Sequence, residues 1–187
     1  MNGITRILIQ DGVAGAGAWR FEKSRAMQSA ANAIYHETFT KLGMPLASGS
    51  EQKSVSKSEH LAGFDYELGI DVLFRFSSGQ TATLQEKFLF TKYSTVTVEY
   101  MQDWRRGTRG DWFTMKCQYY FVGYADNGKF CRWVLLDWPR IQLATAQERI
   151  YWREIRNGKD GARASFVYAE FSALPADVIV ASNTIAK

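Results

Sequence analysis

Two nearly continuous apolar runs, 113–125 and 130–138, are joined by the tripeptide Asp126-Asn127-Gly128. Asn-Gly between apolar segments is the strongest short-range signal of a two-residue β-turn, so these runs are predicted to form a hairpin. Strands that are apolar along their whole length have both faces buried, which places this hairpin in the middle of a sheet. The chain is therefore predicted to fold around a central β-sheet.

Composition restricts the class of protein. The chain has 187 residues, of which 46% are apolar and 22% charged, and this is typical of one globular domain over 1–187 that needs no metal or disulfide staple. Disordered, collagen-like and disulfide-scaffold classes are excluded. The formal charge of +4 permits nucleic-acid binding. No apolar run approaches the roughly 18 residues of a membrane helix, and no signal peptide is recognised, so we expect a cytoplasmic protein without a membrane partner.

Apolar periodicity predicts the remaining elements. A helix is expected over 22–42 because apolar residues recur at helical spacing up to Gly43, whereas 12–17 is expected to be a glycine-rich turn. Residues 47–63 have almost no apolar anchor and are predicted to be a mobile loop. The other predicted elements are strands at 4–9, 70–76, 81–90, 95–100 and 165–171, a short helix or strand within 144–155, a turn at 157–161 and a terminal helix at 175–182.

The segment 70–88 predicts a second hairpin with polar residues in register. If Ser77-Ser78-Gly79 is a three-residue loop with Gly79 in the left-handed conformation, paired residue numbers sum to 156 and Asp71 lies opposite Gln85. Strand alternation then places Gln85 and Lys87 on the solvent-facing side with Asp71, and the apolar residues on the core side. With a two-residue loop the register slips by one and Glu86 replaces Gln85.

Asp71, followed after thirteen residues by Gln85-Glu86-Lys87, resembles the PD-(D/E)XK nuclease superfamily in its Gln-containing variant. The continuation through 95–99, Gly110-Asp111-Trp112 and 118–124 is similar to small phage-encoded members, and the resemblance covers about 64–138. The chain departs from the family pattern at Ile70, where the name has Pro, and at Gln85, a neutral amide in place of a carboxylate.

The resemblance implies an α/β fold with a restriction-endonuclease-like core, in which a mixed central β-sheet is flanked by helices. It also implies a Mg²⁺-dependent DNA endonuclease or nickase, with Mn²⁺ as a substitute ion, in the cytoplasm of a bacterial host if the gene is phage-encoded. Asp71 and Gln85 would hold the metal, and Lys87 would orient or deprotonate the attacking water. A further acid is expected at the metal, and Glu37 matches the helix-borne glutamate best; the weaker candidates are Glu59, Glu67 and Glu99.

A segment rich in Arg and Trp lies between the predicted strands at 95–100 and 113–125. Trp104, Arg105, Arg106 and Arg109 combine the residue types that contact phosphates and stack on bases, so DNA is the expected partner. A second basic cluster could line the same groove or be a solvated face; it comprises Arg149, Arg153, Arg156, Lys159 and Arg163. The chain could also pair with a second copy of itself as a homodimer.

The sequence is also compatible with other functions. Asp, Gln and Lys on the solvent face of an antiparallel hairpin are also ordinary surface residues, and the tryptophans of the Arg-rich segment could be core. The neutral Gln85 makes a catalytically inactive nucleic-acid-binding relative credible. A phage interaction or inhibitor protein, using an aromatic-rich sheet as its partner surface, is the other alternative.

Overall fold

The computed structural model describes residues 14–47, 53–54, 68–91, 93–157 and 163–183. The fold is mixed α/β with two largely antiparallel sheets and few helices. The helices are α1 (Ala14–Lys41), α2 (Asp111–Thr114) and α3 (Trp138–Ala146). The strands are β1 (Lys53–Ser54), β2 (Val72–Arg75), β3 (Thr81–Leu89), β4 (Thr95–Asp103), β5 (Thr108–Arg109), β6 (Tyr119–Asp126), β7 (Lys129–Asp137), β8 (Arg153–Arg156), β9 (Ser165–Glu170) and β10 (Ile179–Ser182).

The larger sheet has six strands in the order β1-β2-β3-β6-β7-β10. Strands β3 and β6 pair in parallel, and the other neighbours in this sheet pair antiparallel. The β6–β7 hairpin lies inside the sheet, as its apolar runs predict. Its turn residues Asn127 and Gly128 have φ of 48° and 75°, the left-handed values that a two-residue hairpin turn requires.

Helix α1 covers one face of the six-stranded sheet. Tyr35 and Phe39 are one helical turn apart and fully buried, and both rings pack edge-on against Phe74 of β2, with centroids 5.4 and 5.3 Å away. Phe121 of β6 lies 5.2 Å from Tyr35 in the same cluster. This aromatic layer aligns the helix with the side of β3 that carries Leu84 and Phe88.

The opposite face is covered by a second sheet of four strands in the order β5-β4-β9-β8. Two tyrosines of β6 join the sheets through buried hydroxyls. Tyr120 donates to the carbonyl of Thr97 and Tyr124 donates to that of Thr95, both at 2.8 Å. Val96 and Val98 of β4 belong to the same apolar core. The expectation of a sheet flanked by helices is thus correct for one face, whereas the other face is covered mainly by strands.

Several predicted elements differ from the structure. Helix α1 begins at Ala14, so Gly15 and Gly17 lie in the helix and not in a turn. Residues 113 and 114, predicted to begin a strand, belong to helix α2, and the expected terminal helix is a 3₁₀ turn at 176–178 followed by edge strand β10. Short segments carry too little local pattern to decide their state, so tertiary contacts decide it.

Residues 47–63 are only partly described. Lys53 and Ser54 form a strand paired with β2, which corrects the prediction of a loop at those two positions. The predicted strand at 4–9, the rest of that loop beyond Ala47 and the turn from 158 onward lie outside the described residues. Among the described helices, none is long and apolar enough to cross a bilayer.

Candidate active site

The β2–β3 hairpin has the predicted register. Val72 pairs with Leu84 and Arg75 with Thr81, so the paired numbers sum to 156. Beyond the last pair, the Phe76 N–H donates to the Gln80 carbonyl at 2.9 Å across the three-residue loop, and Gly79 has φ of 85°. The alternative register with a two-residue loop is therefore excluded.

Two hydrogen bonds connect Asp71 to the residues that precede and follow Gln85 in β3. Its backbone N–H donates to the carbonyl of Leu84 at 2.9 Å, and its carboxylate Oδ2 accepts from the backbone N–H of Glu86 at 2.8 Å. The strand neighbours of Gln85 thus fix both the backbone and the side chain of Asp71. Asp71 itself remains half-buried.

The Gln85 side-chain oxygen is buried and has no hydrogen-bond partner among the described residues. Leaving a buried amide oxygen unpaired costs about 1–3 kcal/mol, so such an atom is normally satisfied. The sequence-based expectation of a solvent-facing side chain is wrong here, because the second sheet covers this face. A hard cation or a hydrogen-bond donor from a ligand would satisfy such a buried oxygen.

Lys87 lies on the same side of β3 as Gln85, next to Val122 of the parallel strand β6. Its ammonium is 5.2 Å from the ring centroid of Phe166 on β9. Burial lowers the pKa of Lys87 below its ordinary value, and the negative charges of Asp111 and Glu99 oppose that shift without cancelling it. The site therefore holds a half-buried ammonium between strands of both sheets.

Asp111 and Glu99 are the acids that the structure brings to Lys87. Glu99 pairs across the ladder with Phe166, the residue whose ring Lys87 contacts. The sequence makes Glu99 a weaker candidate for the additional metal-binding acid and predicts no site role for Asp111. The signal for Asp111 was its position directly after Gly110 in the segment that resembles the nuclease family.

Gly110 explains why Asp111 lies so near strand β4. A Cβ at Gly110 would stand 2.7 Å from the carbonyl oxygen of Glu99 and 2.8 Å from its Cγ, closer than real Cβ atoms approach. The Gly110 N–H also donates to the carbonyl of Tyr100 at 2.9 Å. Only a residue without a side chain allows this contact, and it places the start of α2 against the strand that carries Glu99.

Glu37 does not join the site, which corrects its prediction as a metal ligand. Its side chain is 67% exposed and forms an ion pair with Lys41 one helical turn later. Helix α1 turns Tyr35 and Phe39 toward the sheet face opposite Lys87, so Glu37 points into solvent. Glu59 and Glu67 lie outside the described residues.

A half-buried polar cluster occupies the α1 side of β3, behind the site. Glu86 Oε1 accepts hydrogen bonds from the Tyr35 hydroxyl at 2.8 Å and from the Gln28 amide at 2.9 Å. Burial raises the pKa of Glu86 to about 7, although both hydrogen bonds lower it. On the site face, burial raises the pKa of the Cys117 thiol to about 12. Cys117 is therefore a neutral thiol at physiological pH and not a nucleophile.

The predicted nucleic-acid-binding residues lie on the β4–β5 connection. Arg105 and Arg106 are exposed in its turn, and the Arg105 guanidinium lies 5.1 Å from the ring of Trp104. Arg109, in β5, lies 5.1 Å from the ring of Phe113. Trp112 belongs to the core, 5.4 Å from the ring of Trp138.

The donor set determines what ion this site would accept. Asp71 supplies a carboxylate and Gln85 an unsatisfied amide oxygen, which are the hard oxygen ligands that Mg²⁺ and Mn²⁺ take. Within the described ranges no three His, Cys, Asp or Glu side chains converge on one point. The two donors are of the type that a hard divalent ion takes, and they are few.

No protein-family model, curated protein or solved structure matches this chain. The functional argument therefore depends on the geometry of the site.

Proposed function

We propose that the chain is a metal-dependent phosphodiester hydrolase that acts on DNA, an endonuclease or nickase of the PD-(D/E)XK type with a restriction-endonuclease-like core. One observation carries the proposal: hydrogen bonds connect Asp71 to the residues on either side of Gln85, and the buried Gln85 oxygen has no partner in the described part of the chain. Lys87 follows two residues later on the same face. A buried amide oxygen without a partner is uncommon on an ordinary solvated hairpin.

Asp71 and Gln85 would hold Mg²⁺, with Mn²⁺ as a substitute. A bound divalent ion neutralises the phosphate charge and lowers the pKa of a bound water, which makes hydroxide attack on a phosphodiester feasible. The hydrogen bond from Glu86 to Asp71 keeps the carboxylate in place before any ligand binds.

In this proposal, Lys87 provides the positive charge of the site and a proton that it can release. Its compact ammonium can orient the attacking water and stabilise charge that develops on the phosphate oxygens. Because burial lowers its pKa, Lys87 gives up a proton more readily than a surface lysine. The negative charges of Asp111 and Glu99 favour the charged form of this lysine and oppose the effect of burial on its pKa.

A second candidate function is DNA binding without cleavage. The observation that favours it is the low negative charge at the proposed metal site, where Asp71 stands beside a neutral amide and no three-acid cluster is present in the described residues. A site with one carboxylate holds Mg²⁺ weakly. The two candidates share the DNA partner and differ only in turnover.

Plasmid nicking by wild type and Asp71→Asn, with Mg²⁺ and with Mn²⁺, tests the proposal. The Asn carbonyl can still accept from the Glu86 N–H, so the variant should fold and yet lose cleavage. Asp126→Asn, at the exposed β6–β7 turn, is the matched control and should cut like wild type. Cleavage at the wild-type rate by folded Asp71→Asn would refute the site. A wild type that binds DNA but cuts with neither ion would support the second candidate.

A further inference from the structure

The turn after β4 meets a segment that is distant in sequence. The backbone N–H of Trp104 donates to the carbonyl of Arg163 at 2.9 Å. The Arg156 guanidinium, from the end of β8, lies 5.3 Å from the Trp104 ring, and that of Arg105 lies 5.1 Å from it. Two basic segments separated by about fifty residues of sequence therefore converge on one indole.

Asp103 organises the cations around this indole. Its Oδ1 accepts from the backbone N–H groups of Arg105 and Arg106 at 3.0 and 3.1 Å, which closes the turn. Its Oδ2 lies 3.7 Å from the Arg106 guanidinium and 3.5 Å from that of Arg163. The Asp103 carboxylate thus contacts the guanidiniums of Arg106 and Arg163 and also stabilises the turn that carries Arg105.

The surface retains a positive excess. Its four guanidiniums face two carboxylates, Asp103 and Glu154, the latter 3.4 Å from Arg156. The sum of four positive and two negative charges leaves +2. The side chains of Arg106 and Arg156 are 77% and 62% exposed, so a ligand can reach their heads.

We propose that this arginine cluster, consisting of Arg105, Arg106, Arg156 and Arg163 around Trp104, binds the phosphate backbone of DNA without reading its sequence. Contacts with two guanidiniums make Trp104 a support that orients cations, in place of the base-stacking surface expected from sequence. Planar guanidiniums match phosphate oxygens, and such contacts set the position of DNA and carry no base information.

The cluster lies near Lys87, and its relation to that residue is an inference that rests on the proposed function. Strand β4 runs from Glu99 beside Lys87 to Asp103 at the cluster, four residues later. At about 3.3 Å per residue this is about 13 Å. A single DNA duplex can therefore contact the cluster and Lys87 at the same time.

The test measures binding of an uncleaved duplex in EDTA. Fluorescence anisotropy from about 50 to 200 mM salt would compare wild type with Arg105→Gln/Arg156→Gln. We expect the double variant to lose affinity and the slope of log K against log salt to fall by about 2, equally for unrelated sequences. The matched control, Arg75→Gln/Lys129→Gln, removes the same charge from exposed positions elsewhere and should keep the wild-type slope.

A charge-retaining variant separates binding from folding. Arg105→Lys/Arg156→Lys should restore most of the salt slope, because an ammonium still contacts phosphate. Equal salt slopes in the Gln variant and the control pair would refute DNA binding by the cluster, whatever the nicking assay shows. Normal cleavage with an unchanged slope would leave the proposed function intact. A reduced slope in a protein that never cuts would leave the cluster intact and refute the hydrolase.

Discussion

The carboxylate of Asp71 accepts a hydrogen bond at 2.8 Å from the backbone N–H of Glu86, in the neighbouring strand that also carries Gln85 and Lys87. This bond sets the position of Asp71 through the backbone of the neighbouring strand, independently of any ion. A site preorganised in this way should keep its shape in metal-free protein.

Gln85→Glu should strengthen metal binding. The buried Gln85 oxygen has no partner among the described residues, so a carboxylate there adds charge where the ion would lie. Two neighbouring carboxylates repel, so the variant should melt below wild type in EDTA and gain more from Mg²⁺ than wild type does. Calorimetric titration and thermal melts measure both effects. Gln80→Glu, exposed at the hairpin loop, is the control, and equal or weaker Mg²⁺ binding by Gln85→Glu would show that Gln85 does not face the ion.

Lys87→Met should reduce turnover and leave metal affinity unchanged. Methionine keeps the packing against Phe166 and removes the ammonium, so the loss is one of proton transfer and charge stabilisation. General acid–base groups contribute about 10²–10⁴-fold, and we expect a rate reduction in that range. Lys116→Met, at an exposed position, should cut normally. Loss of Mg²⁺ binding in Lys87→Met, measured by calorimetry, would mean that the roles are wrongly assigned.

Glu86 should make the protein less stable as pH rises. Burial raises the pKa of Glu86 from 4.5 to about 7, so the folded state binds the proton more tightly than the unfolded state. The resulting stability is complete below pH 4.5 and is lost as pH rises through about 7. This shift corresponds to about 3 kcal/mol.

Denaturant unfolding of Glu86→Gln at pH 5 and pH 8 would measure the effect of this carboxyl. The amide cannot ionise and still accepts from Tyr35 and Gln28, so the variant should lose less stability than wild type between the two pH values. Tyr35→Phe removes one of those hydrogen bonds and should steepen the loss. An identical pH dependence in wild type and Glu86→Gln would rule out Glu86 as its source.

Gly110→Ala should damage both stability and turnover. The added Cβ would stand 2.7 Å from the Glu99 carbonyl oxygen, so the start of α2 must move away and take Asp111 from Lys87. Overpacking of this kind costs about 1–3 kcal/mol. Gly107→Ala is the matched control, because its φ of 67° strains the backbone while nothing lies within 4 Å of the new Cβ. A turnover loss no larger than in Gly107→Ala would argue against a role for the Gly110 contact.

Local chemistry accounts for what the sequence determined by itself. Gly79 and the Asn127-Gly128 pair need left-handed backbone, which places each turn and sets the strand alignment beside it. Once the turn at Gly79 is placed, alternation along β3 assigns Gln85 and Lys87 to one face and Glu86 to the other. The neighbours in these hairpins are close in sequence, so the pattern alone predicts them.

The surroundings of those residues depend on pairing between distant segments. The β4–β9 ladder brings Phe166 and Glu99 to Lys87, and it turns a face predicted to be solvated into a half-buried site. The rotation of α1 about its axis is set by the packing of Tyr35 and Phe39, and it directs Glu37 into solvent. Such contacts join residues tens of positions apart and depend on the whole packed core, so no local spacing encodes them.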